Sequence, residues 1–254
     1  MKSQHLSISF AEFKQMPHPF GWKAEYYNDQ AHFTPRSHVI KTNLNIQASV
    51  IKSDFLIQPI DLQYKQEITK TFYQSFRDSI EFCDWTTQEI RKHAEKNITD
   101  YFAGARGVPL PQSVMALEPK TKQLIGLALF VITKKQRYKL DLLFVKPDYQ
   151  KQGLAASMVS QVTGQLHEMG IGELYSLYHI GNEASRNWHQ KFGFKEEYDA
   201  HFSRLKYAWY CEEINRQEKL RLMDALPELI QQRDFWYAQL ADENVQQNFW
   251  WEDE

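Results

Sequence analysis

An apolar strand that leads through a glycine-containing loop into an amphipathic helix most restricts what this chain can fold into. Residues 140–145 are Leu-Asp-Leu-Leu-Phe-Val, and Pro147 ends the run because proline cannot donate to a sheet ladder. After Gly153 the apolar residues recur every three or four positions, which predicts a helix ending near Gly170 with one apolar face: Leu154, Ala155, Met158, Val159, Val162, Leu166 and Met169. The first amides of a helix have no partner within it, and glycine lets a ligand approach them closely. We therefore predict that an anion, most simply a phosphate, binds at Gly153.

Patterns typical of other phosphate-dependent and metal-dependent enzymes are missing from the sequence. Neither the Gly-x-x-x-x-Gly-Lys phosphate loop nor the three-glycine dinucleotide pattern occurs, which argues against a nucleotide triphosphatase and a nicotinamide enzyme. The nine histidines are scattered, and neither His-Glu-x-x-His nor Cys-x-x-Cys occurs, so we expect no metal site. The Gly-x-Ser-x-Gly turn of a serine hydrolase is absent as well.

Two stretches carry a resemblance to a known family. The segment Gln150-x-x-Gly153-x-Ala155 matches a pyrophosphate-binding pattern of arginine or glutamine, two residues, glycine, any residue, then glycine or alanine. Further on, Asn182 precedes a second predicted helix that carries the small residue Ser185, and the pair Gly193-Phe194 closes it. In this order and spacing, the two stretches resemble the core of the GNAT family of acyl-CoA-dependent N-acyltransferases, over about residues 53–206. The resemblance implies an α+β fold of the α/β sandwich type, with a mixed, mostly antiparallel central sheet flanked by helices.

The resemblance also implies that the chain takes acetyl-CoA as co-substrate and transfers its acyl group to an amine. In the family, the strand corresponding to 174–180 splays away from the one corresponding to 140–145, and this opens a slot for the pantetheine arm. The backbone amide of Phe144 or Val145 is then placed to hold the oxyanion that forms during transfer. The residues that we expect to bind acetyl-CoA are Leu143, Phe144, Val145, Gln150, Lys151, Gln152, Gly153, Leu154, Ala155, Ala156, Asn182 and Ser185.

Three side chains are candidates for proton transfer. Many family members carry a tyrosine seven residues after the asparagine, where it can protonate the departing thiolate, but this chain has His189 there. A histidine can donate at mild pH because its reference pKa is about 6.5. For the base that deprotonates the amine, Asp141 is the first candidate, since strand alternation puts it on the face of Leu143 and Val145, and Glu118 is the second. The alternatives are a helix histidine that packs beside the cofactor or faces water, and carboxylates that are strand-edge charges in water.

The sequence outside this core divides into flanking segments. We predict an N-terminal extension over residues 1–52 with a hairpin at Asn28-Asp29, an acetyltransferase domain over 53–211, and a helical C-terminal extension with an acidic aromatic tail over 212–254. Within the central domain the predicted elements are a strand at 55–60, a helix capped by Asp61, a capping box from Thr86 to Glu89, and a hairpin around 119–122.

Composition is that of an ordinary soluble enzyme. The 254 residues are 43% hydrophobic, which is enough for a sizeable core. Thirty Lys and Arg against thirty-two Asp and Glu give a formal charge of −2, so there is no basic surplus of the kind that nucleic-acid binding needs. No run of 18 apolar residues predicts a membrane span, and the polar N-terminus lacks the apolar core of a signal peptide. With two cysteines, Cys83 and Cys211, a disulfide framework is not expected, and we predict a cytoplasmic protein.

The flanks leave two questions open. The predicted C-terminal helix has a mostly apolar stripe that needs a partner, either its own subunit or a second copy in a homodimer: Leu226, Leu229, Ile230, Arg233, Tyr237 and Leu240. The leading functional hypothesis is an N-acetyltransferase. Its alternatives are a catalytically weak acyl-CoA sensor and an interaction protein that uses the same fold as a scaffold, because a fold alone does not fix function.

Overall fold

The computed structural model describes residues 4–48 and 51–241 of the chain. These residues form two compact units, each assembled from separate chain segments. The first unit contains residues 41–177 and 184–195, and the second contains residues up to 40, 178–183 and those from 196 onward. The predicted acidic aromatic tail with Phe249, Trp250 and Trp251 lies outside the described residues.

Strands and helices follow one another along the chain, often in groups of the same kind. In order, they are β1 (Gln4–Leu6), α1 (Phe10–Gln15), β2 (Trp22–Tyr27), β3 (Gln30–Pro35), β4 (Val39–Asn45), β5 (Leu56–Pro59), α2 (Lys65–Phe76), α3 (Thr87–Phe102), β6 (Val108–Pro109), β7 (Val114–Leu117), β8 (Leu124–Ile132), β9 (Tyr138–Val145), α4 (Leu154–Glu168), β10 (Glu173–His179), α5 (Glu183–Phe192), β11 (Lys195–Glu197), α6 (Ala200–Lys219) and α7 (Leu226–Ala241). Among the described helices, none combines the length and the apolar character that crossing a membrane requires.

A mixed sheet forms the centre of the first unit. Its strand order is β4-β10-β9-β8-β7-β5, and β6 pairs with the end of β8. The pairs β5–β7, β7–β8, β8–β9 and β6–β8 are antiparallel, whereas β9 and β10 are parallel. The prediction of an α+β fold with a mostly antiparallel sheet flanked by helices is therefore confirmed.

Both faces of this sheet are covered by helices. On one face, Ile68 and Phe72 of α2 and Ile98 of α3 pack with Leu127 and Leu129 of β8. On the other, α4 packs against the neighbouring residues of β8 and against β9: Met158, Val159, Val162, Ala128, Phe130 and Leu140. β8 is buried on both faces, which explains why its sequence is a nearly continuous apolar run rather than an alternating one.

Most locally coded elements lie where the sequence predicts them. The capping box is formed, with Glu89 N donating to Thr86 Oγ1 at 3.3 Å and Thr86 N donating to Glu89 Oε2 at 2.7 Å. Asp61 caps a single 3₁₀ turn rather than α2 itself, and accepts from Gln63 N at 2.9 Å. The strand β4 was not predicted, although its buried residues alternate with partly exposed ones from Val39 to Leu44.

A β-bulge interrupts β9 at Asp141. The pairing with β8 shifts between Leu129 opposite Leu142 and Phe130 opposite Leu140, so that Asp141 is the extra residue. The alternation used to place Asp141 on the face of Leu143 and Val145 therefore does not hold across this point. Bulges of this kind turn a side chain in a new direction, and Asp141 meets Arg106 from the loop after α3.

The second unit has its own small sheet and helical pair. β1, β3 and β2 form a three-stranded sheet, and Asn28 and Asp29 make the predicted two-residue turn with φ values of 50° and 56°. In α6 and α7, the rings of Phe202 and Trp236 meet with centroids 5.3 Å apart. Of the apolar stripe predicted for the C-terminal helix, Leu226 is buried, whereas Ile230 and Tyr237 are exposed, and the contact with Phe202 of α6 is made by Trp236, which the prediction did not include. The residue boundaries predicted for the three domains remain predictions.

A buried hydroxyl pair joins α3 to the sheet. Ser113 Oγ accepts from Phe130 N at 2.9 Å and lies 2.7 Å from the hydroxyl oxygen of Tyr101. Replacing Ser113 by alanine leaves a main-chain N–H of β8 without an acceptor in the core. Ser113→Ala should therefore lower the free energy of unfolding by about 1–3 kcal/mol, measured by urea denaturation. Tyr101→Phe is the matched control and should cost less, because the Ser113–Phe130 bond survives; an equal or larger cost would contradict this ranking.

Candidate functional site

The loop between β9 and α4 brings the start of a helix into the open. Gly153 is the residue before α4 and has a φ of 80°, a left-handed conformation that favours glycine. Lys151, two residues earlier, has a φ of 62°. A Cβ added at Gly153 would have no atom within 4 Å, so the space over this residue is free.

The first amides of α4 have no acceptor in the part of the chain that the structure describes. The first main-chain bond of the helix is Ser157 N to Gly153 O at 2.9 Å, which leaves the N–H groups of residues 154–156 unused. The side chain of Leu154 is buried in the core, whereas Ala155 and Ala156 are partly exposed. The helix start can therefore offer several N–H groups and the positive end of its dipole to an anion.

Two glutamine side chains fasten the loop. Gln150 Nε2 donates to Val145 O at 3.0 Å, which ties the loop to the end of β9. Gln152 Nε2 donates to Asp148 O at 3.0 Å across the turn. The predicted pyrophosphate-binding residue Gln150 thus shapes the loop through its side chain, and Lys151 is the exposed cation of the segment.

β9 and β10 part soon after they meet. Their parallel pairing contains Lys139 with Tyr175 and Leu140 with Ser176. β9 then continues for five residues, 141–145, beyond the last pair. The predicted divergence of these two strands is therefore present in the structure.

The parting leaves specific backbone groups of β9 without a strand partner. Lys146 N donates to Ile125 O at 2.8 Å, and these two residues lie directly opposite in the β8–β9 register. In antiparallel pairing the bonded pairs alternate, so Phe144 and Leu142 exchange bonds with β8. The N–H groups of Leu143 and Val145 and the carbonyl of Leu143 point to the other side, where β10 has left.

His189 is buried in α5 and hydrogen-bonded through both ring nitrogens. Its Nδ1 lies 2.8 Å from Ser185 O, and because a carbonyl only accepts, Nδ1 carries the proton. Its Nε2 lies 2.9 Å from Ser176 Oγ. The ring, which is 4% exposed, thus connects α5 to β10 at the residue where β10 leaves β9.

Asp141 lies in a buried ion cluster. Its carboxylate accepts from Arg106 Nε at 2.5 Å and from Arg106 Nη2 at 3.1 Å, and Lys139 Nζ lies 3.3 Å away. The Asp141 side chain is 1% exposed. Both carboxylate oxygens of Asp141 therefore already have cationic partners within the protein.

Glu118 has a structural task in the β7–β8 turn. Its carboxylate accepts from Lys120 N at 2.9 Å and from Thr121 N at 2.5 Å. The main-chain bond from Thr121 is the largest cause of a pKa below the ordinary value for glutamate. A lowered pKa makes this carboxylate a weaker base.

The remaining predicted site residue, Asn182, belongs to the second unit, and its role remains a prediction.

A surface pocket lies beside the end of β9. Its volume is about 420 Å³, and its lining residues are Gln66, Glu67, Lys70, Thr71, Gln74, Gln123 and Lys146. Lys146 adds positive charge where the loop begins. Within the described residues, no three His, Cys, Asp or Glu side chains come together as a group that could hold a metal ion.

Two residues at the point of divergence were missed by reasoning from sequence. Arg106 pairs with Asp141 across 35 residues of chain, and no local pattern predicts that contact. Ser176 is an ordinary small residue in a strand, and its importance follows only from the ring of His189 beside it. The β-bulge in β9, which turns Asp141 toward Arg106, also has no recognisable pattern in the sequence.

Comparison with known proteins identifies the central part of the chain. The acetyltransferase (GNAT) family model matches residues 71–194. A search of curated proteins finds no match.

Several solved structures are similar at low identity. A GCN5-related N-acetyltransferase from Sphaerobacter thermophilus has a TM-score of 0.45 at 11% identity, and the match covers 63% of this chain and 48% of that one. The PaiA N-acetyltransferase from Thermoplasma acidophilum, in complex with coenzyme A, has a TM-score of 0.45 at 18% identity, with 57% and 92% covered. The ribosomal-protein-S18-alanine N-acetyltransferase from Escherichia coli has a TM-score of 0.41 at 17% identity, with 56% and 79% covered.

The family match includes β9, the glycine loop, α4, β10 and α5, which are the elements that build the site. It confirms the resemblance inferred from the two sequence stretches. Over residues 71–194, just under half of its length, the chain matches the acetyltransferase (GNAT) family.

Proposed function

We propose that the protein is an N-acetyltransferase that moves an acetyl group from acetyl-CoA to an amine by direct attack in a ternary complex. The observation that carries this proposal is the unused row of amides at the start of α4, next to a strand whose outer edge is open. Such an arrangement offers an anion site and a row of hydrogen-bonding groups that lead away from it. A pyrophosphate joined to an amide-containing arm has the matching chemistry.

The donor would bind along the loop and β9. The N–H groups at residues 153–156 suit the pyrophosphate, with Lys151 as a nearby cation and Gln150 and Gln152 keeping the loop in shape. The N–H and carbonyl of Leu143 suit an amide of the pantetheine arm. The buried side chains of Phe144 and Leu154 support the backbone from the core.

Backbone geometry distinguishes between the two candidate oxyanion donors. The amide of Phe144 faces β8, whereas that of Val145 faces the open edge. Val145 is therefore the better candidate to hold a developing oxyanion along this edge, and one such donor contributes about 3 kcal/mol to a transition state. In the transfer itself, the amine nitrogen bonds to the acyl carbon, the carbon–sulfur bond breaks, and CoA leaves as its thiolate.

Proton transfer is assigned differently from the sequence expectation. Both ring nitrogens of His189 are engaged inside the unit, so we infer that it holds Ser176 and β10 in place rather than protonating the thiolate directly. Asp141 and Glu118 are occupied by ion pairs and turn amides. Water at the open edge remains as the group that takes the amine proton and supplies one to the thiolate.

The sensor alternative shares the donor site and differs in the chemistry. A sensor binds acyl-CoA without releasing free CoA when amines are added. An acetyltransferase releases CoA with at least one class of amine, and this single assay separates the two functions.

Binding of acetyl-CoA should depend on Gly153. Gly153→Glu puts a negative charge in front of the α4 amides and should abolish binding in calorimetry, because the charge repels a pyrophosphate. Gly170→Glu is the matched control: Gly170 lies after the other end of α4, with a φ of 79° against 80° for Gly153, and neither has an atom within 4 Å of an added Cβ. Equal binding by both variants would remove the loop as the pyrophosphate site.

Replacement of His189 should affect stability and leave the pH profile in place. His189→Ala removes a buried ring together with its hydrogen bonds to Ser176 Oγ and Ser185 O, so the free energy of unfolding should fall by about 2–4 kcal/mol. Asn187→Ala, on the exposed side of α5, should change stability little. At saturating acetyl-CoA, the pH dependence of kcat should keep its shape in His189→Ala. A basic limb that moves with this substitution would restore His189 as the acid.

A further inference from the structure

We propose that the amine acceptor carries a carboxylate, and that this carboxylate binds the free edge of the Arg106 guanidinium. The inference rests on the proposed function, since it names the class of acceptor for the same reaction. Amino acids and peptides with a free C-terminus near the amine are the simplest members of this class.

Asp141 occupies only one edge of the Arg106 guanidinium. Asp141 binds the side of the guanidinium that is made by Nε and Nη2, at 2.5 Å and 3.1 Å. A guanidinium has five N–H donors in one plane, and this contact uses two of them. The end formed by Nη1 and the second hydrogen of Nη2 has no acceptor among the described residues. That end has the spacing to bind a second carboxylate through two parallel bonds.

The Arg106 side chain is partly accessible to solvent, unlike that of Asp141. The Arg106 side chain is 29% exposed, whereas that of Asp141 is 1% exposed. Asp141 therefore holds the guanidinium from the buried side, while part of the Arg106 side chain remains exposed to solvent. A side chain that is already held in one orientation loses less conformational entropy when a ligand binds.

The side chains around Asp141 carry a net positive charge. Arg106 and Lys139 both face Asp141, so the cluster has two cations and one anion. Two neighbouring titratable groups, His93 and Tyr101, do not change this balance at neutral pH. Burial and then the charge of Arg106 lower the pKa of His93, and burial raises the pKa of Tyr101, so both are uncharged. One positive charge in a partly buried place favours an anionic ligand group.

The Arg106–Asp141 pair lies where β9 and β10 part. Asp141 directly follows Leu140, whose pairing with Ser176 is the last between β9 and β10. The open edge proposed for the thioester arm begins at this residue. A carboxylate on Arg106 would therefore place an amine a few bonds away beside the start of that edge, where the two reactants must meet.

The bland interpretation is that Arg106 only anchors the loop after α3 to the bulge. Under that interpretation the exposed edge has no ligand, and the charge of the acceptor does not matter to the rate. The two interpretations therefore differ in a measurable substrate preference, and this comparison needs no variant.

The experiment measures CoA release from acetyl-CoA with matched amines: L-leucine and L-leucinamide, L-phenylalanine and L-phenylalaninamide, and the dipeptide Gly-Leu with and without a C-terminal amide. We expect kcat/KM for each acid to exceed that for its amide by about tenfold or more, the ratio expected from one charge-assisted, bidentate contact. An amide's amine is less basic and more of it is unprotonated, so this bias works against the expected result. Acids and amides that react equally well would overturn the proposal.

Variants then assign the preference to Arg106. Arg106→Gln should raise KM for the acids about tenfold more than KM for the amides, because it removes ground-state binding of one group, whereas any effect on the bulge at Asp141 is common to acids and amides. Arg106→Gln with Asp141→Asn avoids an unpaired buried carboxylate and keeps the test valid if the single variant unfolds. Arg91→Gln, on the exposed face of α3, is the control that should keep the preference. A preference that survives both Arg106 variants would also overturn the proposal.

Failure of the proposed function has a different appearance. In that case no amine of either kind releases CoA, although acetyl-CoA binds. Release with amides but not with acids would keep the function and refute the inference.

Discussion

The early parting of β9 from β10 is the constraint on which the site depends. Main-chain N–H and carbonyl groups need partners, and a strand that loses its neighbour keeps a row of them unpaired. The pairing ends at Leu140 and Ser176, and of the groups that β9 then presents, Gln150 satisfies the carbonyl of Val145. The remainder, together with the first amides of α4, form one continuous set of donors and acceptors that suits an extended polar ligand ending in a phosphate.

Two buried polar contacts lie at the point of parting and stabilise it. On β10, Ser176 is held by the ring of His189, whose other nitrogen donates to a carbonyl one helical turn earlier in α5. On β9, the bulge at Asp141 is held by Arg106 and Lys139. Removing one partner of either contact leaves a buried polar group uncompensated, which costs more than the contact contributes on its own. These residues can therefore matter for activity without touching a reacting atom.

The local parts of this arrangement could be predicted from sequence. Glycine before an amphipathic helix, the Thr86–Glu89 capping box and the Asn28-Asp29 turn each depend on residues within a few positions of one another. The roles of Asp141 and His189 could not be predicted, because they are set by Arg106 and Ser176 from distant segments. A single inserted residue in β9 also shifts which side each following residue faces. The strand β4 has alternating buried and partly exposed residues, but no motif lies beside it in the sequence, and it was not predicted.

Hydrogen exchange of single amides with and without CoA tests the central claim most directly. The account predicts that CoA slows exchange at Leu143 and Val145 and at residues 154–156, while Phe144, already bonded to β8, changes little. This alternation along β9 is specific, since ligand-induced stabilisation of the whole unit would slow all of these amides together. Uniform slowing along β9, or slowing that excludes the start of α4, would contradict the account.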